Sequence, residues 1–348
     1  MGSVEVPKKH KACVYDKPGT ISIKVEEIDT PEPGTGEVLW PMLPYPTQPG
    51  QIGGHEGVGT IASFGPGNDS SPLKIGDRVG IKWVASACGS CPPCFAGVDA
   101  SCTSGKVSGY YYPGTFQQYA LAPAHYVTPI PEGVASDLAA PMLCGGLTVY
   151  SALKKCRAGP GEWVVIAGAS GGLGHLAVQI AAKGMGFRVI GTDVGEKEKF
   201  VKDCGAEFFL DVSKFEKGEK GTQDMVKQIR DLAGGFGAAA VLLCAASNAA
   251  YAQALDFLRY NGTLVCLGIP EHDPQPIATA CPDKLVLKQL SIVGSAVGGR
   301  KEAIETLEMA ARGVVKTHFR VEKMEGLAKV FEEMDEGKLM GRVVLDLS

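Results

Sequence analysis

No part of this chain is apolar for the roughly 20 residues that a bilayer-crossing helix needs. The first residues, MGSVEVPKKHKACVYDKPG, hold basic side chains but no apolar stretch of the kind a secretory leader requires. An acylation signal is missing too, because Val6 stands where Ser or Thr is needed after Gly2. Asn68 and Asn261 open Asn-x-Ser/Thr triplets, which carry no weight without a secretory signal. Excess charge of one sign is absent: 34 Lys and Arg against 38 Asp and Glu leave a net −4. At that balance neither nucleic acid nor an anionic membrane is an expected partner. There is no internal repeat and no low-complexity tract. These absences make a cytoplasmic globular protein the default expectation.

What is present is more specific. The 348 residues, 45% hydrophobic and 21% charged, suffice for two domains with substantial cores. Trp163 to Ala167 is a short Val- and Ile-rich run, the pattern of a strand buried on both faces. It breaks into Gly168, Gly171, Gly172 and Gly174, and Leu173, Leu176, Ala177, Ile180 and Ala181 then recur at helical spacing. Phe187 to Thr192 forms a second apolar strand, closed by Asp193. A tight strand-to-helix turn needs residues without a Cβ, and a bound pyrophosphate must come close to the backbone. Exposed amides and the positive helix end would face the phosphate. Asp193 can accept hydrogen bonds from an adenosine ribose and repels a 2′-phosphate, which favours NAD over NADP. The glycine pattern is offset, with Ala169 at its first position, so an ordinary glycine-rich turn is the alternative. Strand, turn, helix, strand and acidic residue in that order favour the dinucleotide.

Eleven cysteines read as free thiols and metal ligands rather than disulfides. Cys88, Cys91, Cys94 and Cys102 form C-x2-C-x2-C-x7-C inside a loop at 85–115. Such spacings let thiolates converge on one ion, and four of them close a tetrahedral Zn²⁺ with no open position. That describes a structural zinc; an iron–sulfur cluster or thiols grouped by chance are the alternatives. Cys13, Cys156, Cys204, Cys244, Cys266 and Cys281 read as core thiols. His10, His125, His175, His272 and His318 show no pattern and are expected at the surface or at caps.

Small strands are expected at 11–15, 21–25 and 37–40, followed by an irregular segment with Pro41, Pro44, Pro46 and Pro49. Further strands are expected at 57–64, 77–82 and within 116–128, then a helix over 137–153. After Asp193, helix and strand alternate as in a doubly wound parallel sheet. The helices fall at 196–204, 224–233 and 249–260, the strands at 207–211, 239–244 and 263–268. The tail adds strands at 290–295 and 342–346 and helices at 301–311 and 324–334. The expected class is α/β, a β-rich domain interrupted by a nucleotide-binding one.

Residues 53–59 (GGHEGVG), 76–83 (GDRVGIKW), the cysteine tetrad and 108–120 (SGYYYPGTFQQYA) now fall into place with 141–154 (PMLCGGLTVYSALK), GASGGLG, 292–300 (IVGSAVGGR) and the final GRVVLDLS. In that order the chain resembles the zinc-containing medium-chain alcohol dehydrogenases, most closely the fungal (yeast-type) ones. The resemblance implies a GroES-like catalytic domain at 1–145, a Rossmann domain at 146–285 and a segment at 286–348 returning to the first, with the active site in the cleft between them. It implies an NAD-dependent oxidoreductase that interconverts an alcohol and an aldehyde or ketone, working as a homodimer or homotetramer. In such enzymes zinc polarises the alcohol oxygen so that hydride can pass to the nicotinamide. Carried over, His55 and Cys144 are ligands of the catalytic zinc, Glu56 is a carboxylate able to approach it, and Trp83 lines the substrate pocket. Gly168, Gly171, Gly172, Leu173, Gly174, Gly268, Ser295 and Val297 would contact the cofactor, Asp193 and Lys197 its adenosine ribose, and Arg342 its pyrophosphate.

One piece does not carry over. The family's Y-x-G-x-C-H-T-D-x-H segment, source of the first zinc cysteine, a substrate-binding Thr and a proton-relaying His, is missing. Between Trp40 and Gly54 there is no Cys, no His and no Thr–Asp pair. Catalytic zinc sites normally have three protein ligands, and His55 with Cys144 supplies two. Glu56 as a third is one possibility; an empty site is the other. Three functions follow: a zinc alcohol dehydrogenase, a carbonyl or double-bond reductase without catalytic zinc, or a non-catalytic NAD-binding isoform. In the second, Tyr45 or one of Tyr110, Tyr111 and Tyr112 is a candidate hydrogen-bond donor to the developing oxyanion, with simple packing as the alternative for those tyrosines.

Overall fold

The computed structural model describes residues 6–17, 20–32, 48–67, 72–270 and 273–348. The expected strand at 37–40, the proline-rich segment as far as Thr47, with Tyr45 in it, and His272 lie outside that range. The chain divides into two compact units. One comprises 1–144, 298–311 and 319–348; the other comprises 145–297 and 312–318. The expected tail is therefore shared: 286–297 and 312–318 belong with the second unit.

The first unit is built from short antiparallel strands. β1 (Lys9–Tyr15) pairs with β2 (Ile23–Asp29), with Cys13 opposite Val25. β3 (Gly57–Thr60) and β4 (Arg78–Ile81) form one hairpin-like pair, and β5 (Val84–Ser86) pairs with β6 (Lys106–Val107). β7 (Thr128–Pro129) adds to β4. The stretch expected to return to strands at 116–128 gives only β7 at its end and a single bridge from Gln117 to Ala12. Its run Leu-Ala-Pro-Ala offers few β-branched side chains, and Pro123 withdraws a ladder donor.

The second unit holds a six-stranded, all-parallel sheet. Its strands are β8 (Trp163–Ala167), β9 (Arg188–Asp193), β10 (Phe208–Asp211), β11 (Ala238–Leu243), β12 (Leu258–Cys266) and β13 (Ser291–Gly294), in the order β10-β9-β8-β11-β12-β13. Strand order reverses between β8 and β11, the switch point at which a Rossmann sheet opens its ligand crevice. β11 (AAAVLL) is buried at every position, as a central strand covered on both faces must be. Around it pack Ile229, Leu255, Leu258 and Leu264.

Several boundaries differ from expectation for identifiable reasons. The helix expected through 260 stops at Ala254, and Leu258 already opens β12. Apolar Phe257 and Leu258 fit either period, and left-handed Asn261 marks the irregularity in β12. The helix expected over 137–153 is interrupted: it runs 136–139, passes through a 3-10 turn at 140–143 containing Pro141, and restarts at Gly145. A helix at Pro282–Lys288 and strand β14 (Phe319–Lys323) carry too weak a pattern to be expected; β14 pairs in parallel with β15 (Arg342–Asp346) in the first unit. Cys13, Cys156 and Cys204 are buried, but Cys244 and Cys266 are partly exposed and Cys281 is exposed. His10 and His175, expected at the surface or at caps, are buried. His10 bonds Thr30 and Gln117 through its two ring nitrogens.

Candidate functional site

The cysteine tetrad occupies the loop after β5. Gly89 and Gly97 adopt positive φ, letting the chain turn sharply on either side of a helical turn at Pro92–Phe95. The four Sγ atoms all lie within 4.8 Å of one another. Cys91 Sγ is 3.5 Å from that of Cys94 and 3.8 Å from that of Cys102. Sulfurs at tetrahedral corners around a Zn²⁺ with Zn–S of about 2.3 Å sit about 3.8 Å apart, so the cage fits that ion. Backbone amides at Cys94 and Thr103 pull the Cys91 thiol down to about 6, whereas desolvation pushes Cys94 up to about 12. A divalent cation removes this conflict by holding all four as thiolates. Such a closed site leaves no position for substrate.

Beside the tetrad lies a network that the sequence did not announce. Asp99, from the turn between Cys94 and Cys102, is 6% exposed and accepts a 2.7 Å hydrogen bond from Tyr126 Oη and one of 3.2 Å from Arg300 Nε. Lys82, the residue before Trp83, is 2% exposed. Its Nζ donates to the Tyr126 carbonyl at 2.5 Å and stands 4.1 Å from that ring's centroid. Burial, with Arg300 adding to it, brings the Lys82 amine down to about 7 against the opposing effect of Asp99. A lysine inside the apolar run VGIKW was the one available signal.

The remaining catalytic candidates also sit in the first unit. His55 meets Trp83 edge-to-face at 4.8 Å between centroids, and Trp83 meets Tyr110 in the same way at 5.5 Å. His55, Glu56, Trp83 and Tyr110 line one groove of this unit. Burial holds the His55 imidazole below its ordinary pKa, with Glu56 opposing and Arg342 adding to the effect. Glu56 accepts an ion-paired hydrogen bond from Arg342. Among the described residues, the tetrad is the one group of three or more His, Cys, Asp or Glu whose ligand atoms gather within 4.8 Å. His55, Glu56 and Cys144 are not so gathered, and the expected third ligand is engaged by a guanidinium. These residues do not fit the family's three-ligand catalytic zinc.

In the second unit the glycine turn follows β8. A Cβ on Gly174 would stand 1.9 Å from the Gly168 carbonyl oxygen, so only glycine permits this closure. Asp193, at the end of β9, is held against the turn: its Oδ2 accepts from Ser170 N at 2.8 Å and Ser170 Oγ at 2.7 Å. Its Oδ1 accepts from Val194 N at 2.8 Å and faces Lys197 Nζ at 3.4 Å. Ser170 was not among the expected cofactor residues. Gly268 and Ser295 follow β12 and β13 at the same carboxyl edge of the sheet, and Ser295 Oγ accepts from Lys155 Nζ at 3.0 Å. Gly268 packs so close that an added Cβ would meet the Ala245 carbonyl oxygen at 2.6 Å.

A β-rich unit carrying a cysteine tetrad, joined in sequence to a Rossmann unit, defines the medium-chain dehydrogenase class. Two family models match: the alcohol dehydrogenase GroES-like domain over residues 20–132 and the zinc-binding dehydrogenase domain over 172–312. The chain is 59% identical to alcohol dehydrogenase 2 of Emericella nidulans, with all of both chains covered. Among solved structures, the alcohol dehydrogenase of Aeropyrum pernix superposes with a TM-score of 0.80 at 28% identity over 96% of this chain and 99% of that one. The acetophenone reductase of Geotrichum candidum, solved with NAD, gives 0.78 at 26% identity over 98% of each. The chain belongs to the zinc-type alcohol dehydrogenase family and is an oxidoreductase acting on alcohols and carbonyls. Its alignment with the Emericella protein runs over 368 positions against 348 residues here, so part of that relative faces no residue of this chain.

Proposed function

We propose that this protein transfers hydride between NAD(H) and an alcohol/carbonyl pair, with its tetrad loop fixed by one structural Zn²⁺ at Cys88, Cys91, Cys94 and Cys102. The observation that carries the nucleotide assignment is the Asp193 carboxylate pinned by Ser170 to the glycine turn. It presents fixed negative charge at the carboxyl end of β9, where an adenosine ribose would lie, suiting a ribose hydroxyl and repelling a 2′-phosphate. Gly168, Gly171, Gly172, Leu173 and Gly174 would face the pyrophosphate, with Lys197 at the ribose and Gly268, Ser295 and Val297 toward the nicotinamide half. Arg342, expected at the pyrophosphate, is assigned here to Glu56.

For the substrate, His55 and Trp83 line the groove, with Cys144 as the second remnant of the family's metal cage. Because that cage is incomplete, no step is routed through a second metal. A neutral His55 and the Tyr110 phenol would supply hydrogen bonds to the substrate oxygen as its charge develops. This favours a carbonyl reductase reading within the same class, and a non-catalytic NAD-binding protein is the outcome if turnover is absent. A cytoplasmic homodimer or homotetramer, associating through edge strands of the parallel sheet, completes the proposal. The test is titration of the purified chain with NADH by fluorescence, followed by turnover on a panel of aldehydes, ketones and alcohols. Saturable binding with carbonyl reduction supports it; no NADH binding at millimolar concentration removes it.

A further inference from the structure

His175 is fully buried, one residue into the helix that begins at Gly174, and the expected chemistry gives it no task. Its Nδ1 lies 2.8 Å from the Gly171 carbonyl oxygen, which also accepts the His175 backbone N–H at 3.1 Å. A carbonyl can only accept, so Nδ1 carries the proton and Nε2 presents a lone pair. That lone pair faces the backbone N–H of His318 at 3.3 Å. One helical turn on, buried Gln179 takes both polar groups of Lys316: its Nε2 donates to the Lys316 carbonyl and its Oε1 accepts from the Lys316 amide, each at 2.9 Å. Residues 175 and 179 stand on one helix face. Together they fasten the segment 312–318, which belongs to the nucleotide unit although the chain on both sides of it belongs to the other.

We propose that His175 is a positioning residue for the dinucleotide: its Nδ1–H holds the Gly171 carbonyl toward the helix and so keeps the glycine turn's amides turned to the pyrophosphate, while its Nε2 ties that turn to the 312–318 segment. The inference rests on the nucleotide assignment made above. A carbonyl oxygen swung toward the ligand would set a negative dipole against a phosphate, so holding it back acts on cofactor affinity rather than on hydride transfer.

Two substitutions separate the contacts, because an Asn amide stands where Nδ1 is and a Gln amide reaches where Nε2 is. His175→Gln keeps an acceptor for His318 N–H and loses the Gly171 clamp. His175→Asn keeps the clamp and loses the tie. NADH titration of the full chain should show His175→Gln weakened about tenfold, equivalent to about 1.4 kcal/mol, with KM for NADH raised and kcat unchanged. His175→Asn should bind NADH within about twofold of wild type while the His318 amide exchanges hydrogen faster. Wild-type NADH affinity in a folded His175→Gln, or equal weakening in both variants, overturns the inference. Failure of the wild-type chain to bind NADH at all removes the nucleotide assignment instead.

Discussion

Arg342 donates to Glu56 across 286 positions of sequence, joining β15 to the residue after His55. Both side chains are about three-quarters covered, at 24% and 21% exposure. Breaking such a pair from one side leaves a charge without its partner in a poorly solvated place. Arg342→Ala should therefore lower stability by about 1–3 kcal/mol, and adding Glu56→Gln should recover part of that loss. Urea denaturation of the two single variants and the double variant checks this; strictly additive losses would show that the pair is not coupled.

Protein purified without added metal should hold one zinc per chain, and Cys94→Ser should hold none. The tetrad has four converging thiols, whereas His55 and Cys144 lack the third ligand that a stable catalytic site requires. In Cys94→Ser the loop at 88–102 should also become sensitive to limited proteolysis. Two ions per chain, measured by emission spectrometry, would show that the His55 and Cys144 pair has recruited another ligand.

The two halves of the site were unequally legible. The stretch from Trp163 to Asp193 announces itself because glycine placement, helical period and a strand-ending acid are all local signals; the structure realises the strands within a residue or two, while the helix passes from α at Gly174–Gln179 into a π turn at Ile180–Gly184. The tetrad was equally plain, since ligand spacing is written in sequence. Ser170 carries no such signal because a serine among glycines reads as turn filler, although its amide and hydroxyl both bind Asp193. Asp99, Tyr126, Arg300 and Lys82 meet only through tertiary packing, and no periodicity encodes a contact between residues 201 apart. The burial of His175 is hidden for a related reason: a single histidine in a helix has no spacing to betray it. β3 and β4 end sooner than the expected 57–64 and 77–82, because period-two alternation continues past the point where pairing partners end, whereas β1 and β2 run longer than the expected 11–15 and 21–25.

Lys82 should give the protein a stability that climbs with alkalinity. Its folded pKa of about 7 lies below the ordinary lysine value of 10.5, so between these limits the unfolded chain binds the extra proton. Stability contributed by this residue is present above about 10.5 and is lost as pH falls toward 7, at up to about 1.4 kcal/mol per pH unit. Lys82→Met fills similar space without the amine and should flatten the profile between pH 7 and 10 while raising stability at pH 7. Denaturant midpoints measured across that range decide it; an unchanged slope in Lys82→Met would place the titration elsewhere.

Asp193 should set which nicotinamide dinucleotide is accepted. Its two oxygens take three short hydrogen bonds from Ser170 and Val194 and a longer one of 3.4 Å from Lys197, which fix the carboxylate, and a ribose hydroxyl would take the place of the longest of these contacts. A 2′-phosphate brought to that position would meet a like charge whose orientation cannot relax. Asp193→Asn keeps the shape, removes the charge and replaces one acceptor with a donor. NADH binding should weaken about tenfold, the loss of roughly one charge-assisted hydrogen bond, while NADPH binding improves. The informative quantity is the ratio of the two dissociation constants, because a general loosening of the turn would weaken both together and leave that ratio where it was.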